Sequence, residues 1–184
     1  MAEVVEKKSI LHQLYEKKMT WPRLILKGGV EAILCWNAYH YATFHKTQDW
    51  ACYATHSKQP NDFGVGDNVT ERFTMVIWCS FLLCAFGLLN CFVEMVNKFV
   101  SNKNLVVLTG VLDSIAVVAA IAWIVWASIV RLDRNGKICA GATMNVTMGS
   151  RPYAYEQGVY LVVVLMLCYT VPPVLLIATS CGCL

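Results

Sequence analysis

The sequence predicts an all-α integral membrane protein: a four-helix transmembrane bundle with an N-terminal amphipathic helix. Three observations predict it. Hydrophobic residues fill 57% of the 184 positions and charged residues only 15%, a balance outside that of ordinary soluble domains. The charges are concentrated at the N-terminus and in three intervening stretches, which leaves long apolar runs between them. Such runs suit a bilayer, where each backbone polar group must pair inside its own helix and about 20 residues cross roughly 30 Å of hydrocarbon. The length allows one domain, and a net charge of +3 is too small to indicate nucleic acid as a partner.

Residues 1–23 read as a basic amphipathic segment. Ile10, Leu11, Leu14 and Tyr15 recur at helical spacing among Lys7, Lys8, Lys17 and Lys18, as in a helix lying on an anionic membrane face. A solvated helix capping the bundle has the same pattern. The segment is too polar for the apolar core of a cleavable signal peptide, so the first span is expected to direct insertion.

Four spans are expected within residues 24–180. The first, about 24–44, is the most polar, carrying Lys27, Glu31, Asn37 and His40 beside Ile25, Ile33, Leu34, Trp36 and Phe44; it reads as a helix packed inside the bundle, with a re-entrant or surface helix as the alternative. The second, about 73–96, and the third, about 105–130, are strongly apolar and long enough to cross. The fourth, about 157–179, contains Pro172 and Pro173, which remove two backbone donors and predict a bend near its end. A short tail, residues 181–184, follows.

An even number of spans puts both termini on one side, with residues 45–72 and 131–156 as loops on the other. Lys and Arg are tied at seven on each side, so the positive-inside rule does not choose an orientation. Two sequons, Asn68-Val69-Thr70 and Asn145-Val146-Thr147, lie in the two longer loops, and Asn145 is farther from the membrane; use of either makes those loops luminal or extracellular. Cys35, Cys79, Cys84, Cys91 and Cys168 fall within spans and read as small buried hydrophobes. Cys52 and Cys139 are the only cysteines of the longer loops, one in each, and are expected to form a disulfide in an oxidising compartment. Sequons and cysteines agree on cytosolic termini, in a plasma membrane or secretory-pathway vesicle. Cys181 and Cys183 then reach the cytosolic boundary, where S-acylation is accessible and unmodified thiols are the alternative.

Ionisable groups at membrane depth face the bundle interior or water and find partners. Lys27 and Glu31 are one turn apart on the first span, Asp113 lies in the same half of the third, and Glu94 is near that side on the second. An interhelical polar clamp is the expected role of this cluster, and an ion or proton pathway the alternative. Gly28 and Ala32, Gly110 and Ser114, and Ala116 and Ala120 are pairs four apart that allow close helix contact. Trp78, Trp123 and Trp126 are placed as interfacial anchors. The sequence contains no Gly-rich phosphate loop, paired CxxC or His-Glu-x-x-His helix, and its four scattered histidines do not form a metal-ligand pattern. No enzyme activity, cofactor or metal is therefore expected.

The order of parts resembles the MARVEL-type four-helix proteins, a group that includes physins, gyrins and occludin. The resemblance is carried by Asp113 in Val111-Leu112-Asp113-Ser114, by Ala122-Trp123-Ile124-Val125-Trp126 near the outer end of the third span, and by a cysteine-bearing second outer loop, Asn135-Gly136-Lys137-Ile138-Cys139-Ala140-Gly141. The Trp-Leu-Trp signature of claudins and the Cys-Cys-Gly motif of tetraspanins are lacking. The resemblance implies a membrane-organising role, with lateral self-association and shaping of vesicles or membrane domains. Expected partners are membrane lipids, further copies of the chain and other membrane proteins. A channel or transporter component, or an accessory subunit of a larger complex, is the alternative.

Overall fold

The computed structural model describes residues 21–44, 52–54, 60–61, 66–100, 102–140 and 155–180. Residues 1–20 of the N-terminal amphipathic segment, Asn145, Cys181 and Cys183 lie outside these residues, and the segment's last three residues open α1. The described chain is all-α apart from a three-stranded miniature sheet. Its elements are α1 (Trp21–Phe44), β1 (Tyr53–Ala54), β2 (Pro60–Asn61), β3 (Asp67–Asn68), α2 (Val69–Val100), α3 (Lys103–Leu132), α4 (Arg134–Cys139) and α5 (Tyr155–Ser180). Each apolar run of the sequence lies within one of the four long helices.

Helix ends follow local chemistry. In α1, Pro22 occupies the first turn, where a missing N–H costs nothing. At the start of α2, Asn68 Oδ1 caps the helix by accepting from the Glu71 amide at 3.1 Å, and Asn68 Nδ2 donates to Glu71 Oε2 at 3.3 Å, joining the two side chains. The Asn102 side chain accepts from the Asn104 amide at 2.9 Å, and the Asn102 amide donates to Asn97 Oδ1 at 3.0 Å. Helix α3 therefore begins directly after Asn102. Helix α3 stops at Asp133, whose amide still bonds Ile129 O at 2.9 Å before α4 departs. Helix α5 continues through Pro172 and Pro173 to Ser180, although neither proline can donate to the carbonyls of Cys168 and Tyr169.

Helices α1 and α2 pack antiparallel along two seams whose residues alternate four and three apart, the spacing of a left-handed coiled-coil contact. On α1 the seam is Leu24, Gly28, Glu31, Cys35, Ala38 and Ala42; on α2 it is Phe73, Ile77, Ser80, Cys84, Gly87, Cys91 and Glu94. Small residues dominate both, so the backbones approach closely. A Cβ on Gly28 would sit 3.3 Å from Cys91 Sγ, and one on Gly87 would sit 2.9 Å from the Glu31 carboxyl carbon. Cys91 Sγ donates to the Leu24 carbonyl at 3.5 Å. Helix α3 lies on another face of α2 through Thr109, Asp113, Ala116, Ala120, Trp123 and Ala127, again four and three apart, and Trp123 Nε1 donates to the Val76 carbonyl at 2.8 Å.

The main apolar core gathers near the disulfide end, where Phe73, Ile77, Trp123, Tyr160 and Leu161 are buried together. Tyr41 and Tyr160 stack there with centroids 4.7 Å apart. Among the described residues, α2 and α3 are long and apolar enough to cross a membrane. In α3 the apolar side chains mostly point away from the bundle, 6% of its most apolar stretch being buried, whereas in α2 28% is buried and most of the rest is half-buried between its neighbours.

Candidate functional site

Three helices meet in a charged cluster near the end of the bundle opposite the disulfide. Lys27 of α1 donates to Glu94 Oε1 of α2 at 3.0 Å and to Asp113 Oδ1 of α3 at 3.4 Å. Asn90, one turn before Glu94, donates through Nδ2 to the same Asp113 oxygen at 2.6 Å. The Glu94 side chain is 3% exposed, Lys27 36% and Asp113 49%. Asn90 is also buried, and its Oδ1 has no hydrogen-bond partner among the described residues. Lys27 therefore ties α1 to both of the other helices, while Glu31, one turn along α1, sets its carboxyl against Gly87.

The seam register explains these contacts. Gly28 faces Cys91 and Glu31 faces Gly87, so Lys27 falls beside Glu94. Three of the four residues expected to cluster, Lys27, Glu94 and Asp113, are in direct contact, and Glu31 occupies the next layer. Sequence reasoning missed Asn90 and Gly87. Asn90 had a visible signal, an amide inside an apolar run at i, i+4 from an acid, whereas nothing local marks Gly87 as the notch for Glu31.

A second constellation closes the other end. Cys52 and Cys139 are joined as a disulfide with Cα atoms 6.0 Å apart. Around it, the Val69 amide donates to the Cys52 carbonyl at 3.0 Å, and the Cys52 amide donates to Thr70 Oγ1 at 2.8 Å. In the sheet, β1 lies between β2 and β3 and is antiparallel to both; Tyr53 pairs with Asn61 on one side and Asn68 on the other. Gly66 enters β3 at φ 114°, a conformation that glycine adopts without strain. Asp67 receives Asn135 Nδ2 at 3.2 Å and pairs with Arg72 at 3.2 Å. Arg131 Nε donates to the Gly158 carbonyl at 2.9 Å, and Gln157 Nε2 donates to the Tyr41 carbonyl at 3.3 Å.

The cap bears on the sequons. Asn68 and Thr70 are both engaged in structural hydrogen bonds, so a glycan on Asn68 Nδ2 would displace Glu71. Asn68-x-x-Glu71 is a helix-capping spacing that overlaps the sequon Asn68-Val69-Thr70. The cap and the charged cluster hold helices together, and the described residues in neither form a nucleophile and base pair. Comparison with protein families, with characterised proteins and with solved structures finds no match for this chain, so the likeness to MARVEL-type proteins rests on the order of its parts.

Proposed function

We propose that this chain is a four-helix integral membrane protein that acts by lateral association, organising or shaping the membrane in which it sits, rather than by catalysis. The observation that carries the reading is the outward apolar surface of α2 and α3. Leu82, Leu89, Val107, Ile115, Val118, Ile121 and Ile129 are each more than half exposed. A contiguous surface of that kind is not left in water; hydrocarbon and neighbouring helices are its natural cover. In this reading α1 and α5 are the other two spans; on α1, Lys27 bonds to α2 and α3, Glu31 packs on Gly87 of α2, and Asn37 donates to the Ile33 carbonyl of its own helix.

The disulfide cap supports a topology in which that end is luminal or extracellular and both termini are cytosolic. The charged cluster favours a clamp over a conducting path, because Lys27 lies between Glu94 and Asp113 and bonds to both. Small-residue seams like that of α1 and α2 are the usual means of helix association in lipid, and the exposed Gly110 and Ser114 offer another such surface for neighbours.

The test is the mass of the purified protein in mild detergent, measured with and without reduction of the Cys52–Cys139 bond. A homo-oligomer supports the reading. A stable monomer refutes self-association, and recovery only with a second protein turns the reading to an accessory subunit.

A further inference from the structure

We propose that the open side of Asp113 is a docking point for a transmembrane helix of another protein, one that carries a single lysine or arginine at matching depth. The inference rests on the four-span reading above. Asp113 is ten residues into α3, about 15 Å along the helix axis, and at that depth a carboxylate facing lipid is costly and normally finds a partner. Its inward side is occupied: Oδ1 accepts from both Lys27 and Asn90. Its outward side is open, with 49% of the side chain exposed.

Among the described residues the charges of this cluster do not balance. Lys27 is shared by two carboxylates and lies closer to Glu94, at 3.0 Å, than to Asp113, at 3.4 Å. The missing element is a cation approaching from outside. The surface beside Asp113 admits a helix: apart from the adjoining backbone of α3 itself, no described atom lies within 4 Å of where a Gly110 Cβ would be, and Ser114, Val117 and Ile121 continue the exposed face. A second copy of this chain fits poorly there. Among the described residues Lys27 is the only basic side chain at comparable depth, so a symmetric contact on this face would oppose Asp113 to Asp113. The complementary occupant is a different, singly basic helix.

The test reconstitutes the full chain in phosphatidylcholine vesicles with a synthetic Leu/Ala transmembrane peptide bearing one lysine about 15 Å from its end, or leucine at the same place, and reads association by energy transfer. The lysine peptide is expected to bind about tenfold more tightly than the leucine peptide. Asp113→Asn, which keeps an acceptor for Asn90, is expected to erase that preference. Gly110→Leu fills space that is empty in the chain itself and is expected to weaken lysine-peptide binding about tenfold, with the Cys52–Cys139 bond still formed as a check on folding. Equal binding of the two peptides, or a preference that survives Asp113→Asn or Gly110→Leu, overturns the proposal. Failure of the protein to float with the vesicles overturns the four-span reading, and this proposal with it; flotation with equal binding overturns this proposal alone.

Discussion

Removing the ammonium of Lys27 tests whether the charged cluster fastens the helices. At 3.0 Å from Glu94, a unit charge pair at an effective dielectric of about 20 has a Coulomb attraction of about 5 to 6 kcal/mol. Desolvation of both groups offsets much of this, but the two terms do not vanish together when one partner is deleted. Lys27→Met leaves Glu94, 3% exposed, buried without its cation, and the expected loss of stability is about 3 kcal/mol. Glu94→Gln keeps an acceptor for Lys27 and is expected to cost about 1 kcal/mol. The double variant Lys27→Met with Glu94→Leu removes both charges and is expected to recover about 2 kcal/mol relative to the sum of Lys27→Met and Glu94→Leu alone. The assay is reversible unfolding in mixed micelles, with denaturing detergent titrated against helical circular dichroism. Additivity of the two single variants within about 0.5 kcal/mol, or a cost for Lys27→Met below about 1 kcal/mol, would refute the reasoning.

Cys52→Ser or Cys139→Ser opens a link across 87 residues. In a free chain that closure is worth about 4.6 kcal/mol, and the expected loss is smaller because helices retained in the micelle already restrain the ends; unfolding with and without reductant measures it. Gly136→Ala is expected to destabilise by about 2 kcal/mol or more, because its Cβ would overlap the Val130 carbonyl oxygen at the α3–α4 junction. Gly110→Ala, which has open space around it, is expected to stay within about 0.5 kcal/mol of the parent in the same titration. Asn68→Gln is expected to cost about 1 kcal/mol through loss of the α2 cap without changing the protein's mobility on deglycosylation, whereas Asn145→Gln is expected to abolish a glycosidase-sensitive shift. A shift lost only in Asn68→Gln would reverse that assignment.

The helices were legible because hydrophobic continuity over about 20 residues is a one-dimensional signal. Phe73 to Val96 and Leu105 to Val130 lie inside α2 and α3, and only the helix ends moved outward. Those ends depended on caps: Asn68 with Glu71, and Asn102 with Asn104. The Cys52–Cys139 pairing was legible by elimination, and the structure holds the two sulfurs at bonding distance. The capping use of Asn68 is local, three residues from Glu71, whereas the contacts of Asn135, Arg131 and Gln157 were not legible, since each depends on where a different segment folds back.

Taken alone, the sequence determined that the chain is helical, where its apolar runs lie and that charged groups occur within them. Tertiary structure decided which charges meet. By sequence spacing Lys27 and Glu31 are neighbours on one helix, but the antiparallel register of α1 on α2 brings Glu94 to Lys27 and leaves Glu31 over Gly87. A slide of one turn would exchange those partners without altering either helix. That register is set by how small side chains such as Gly28, Cys91 and Gly87 fit together across the seam, a property of two surfaces that neither segment encodes alone.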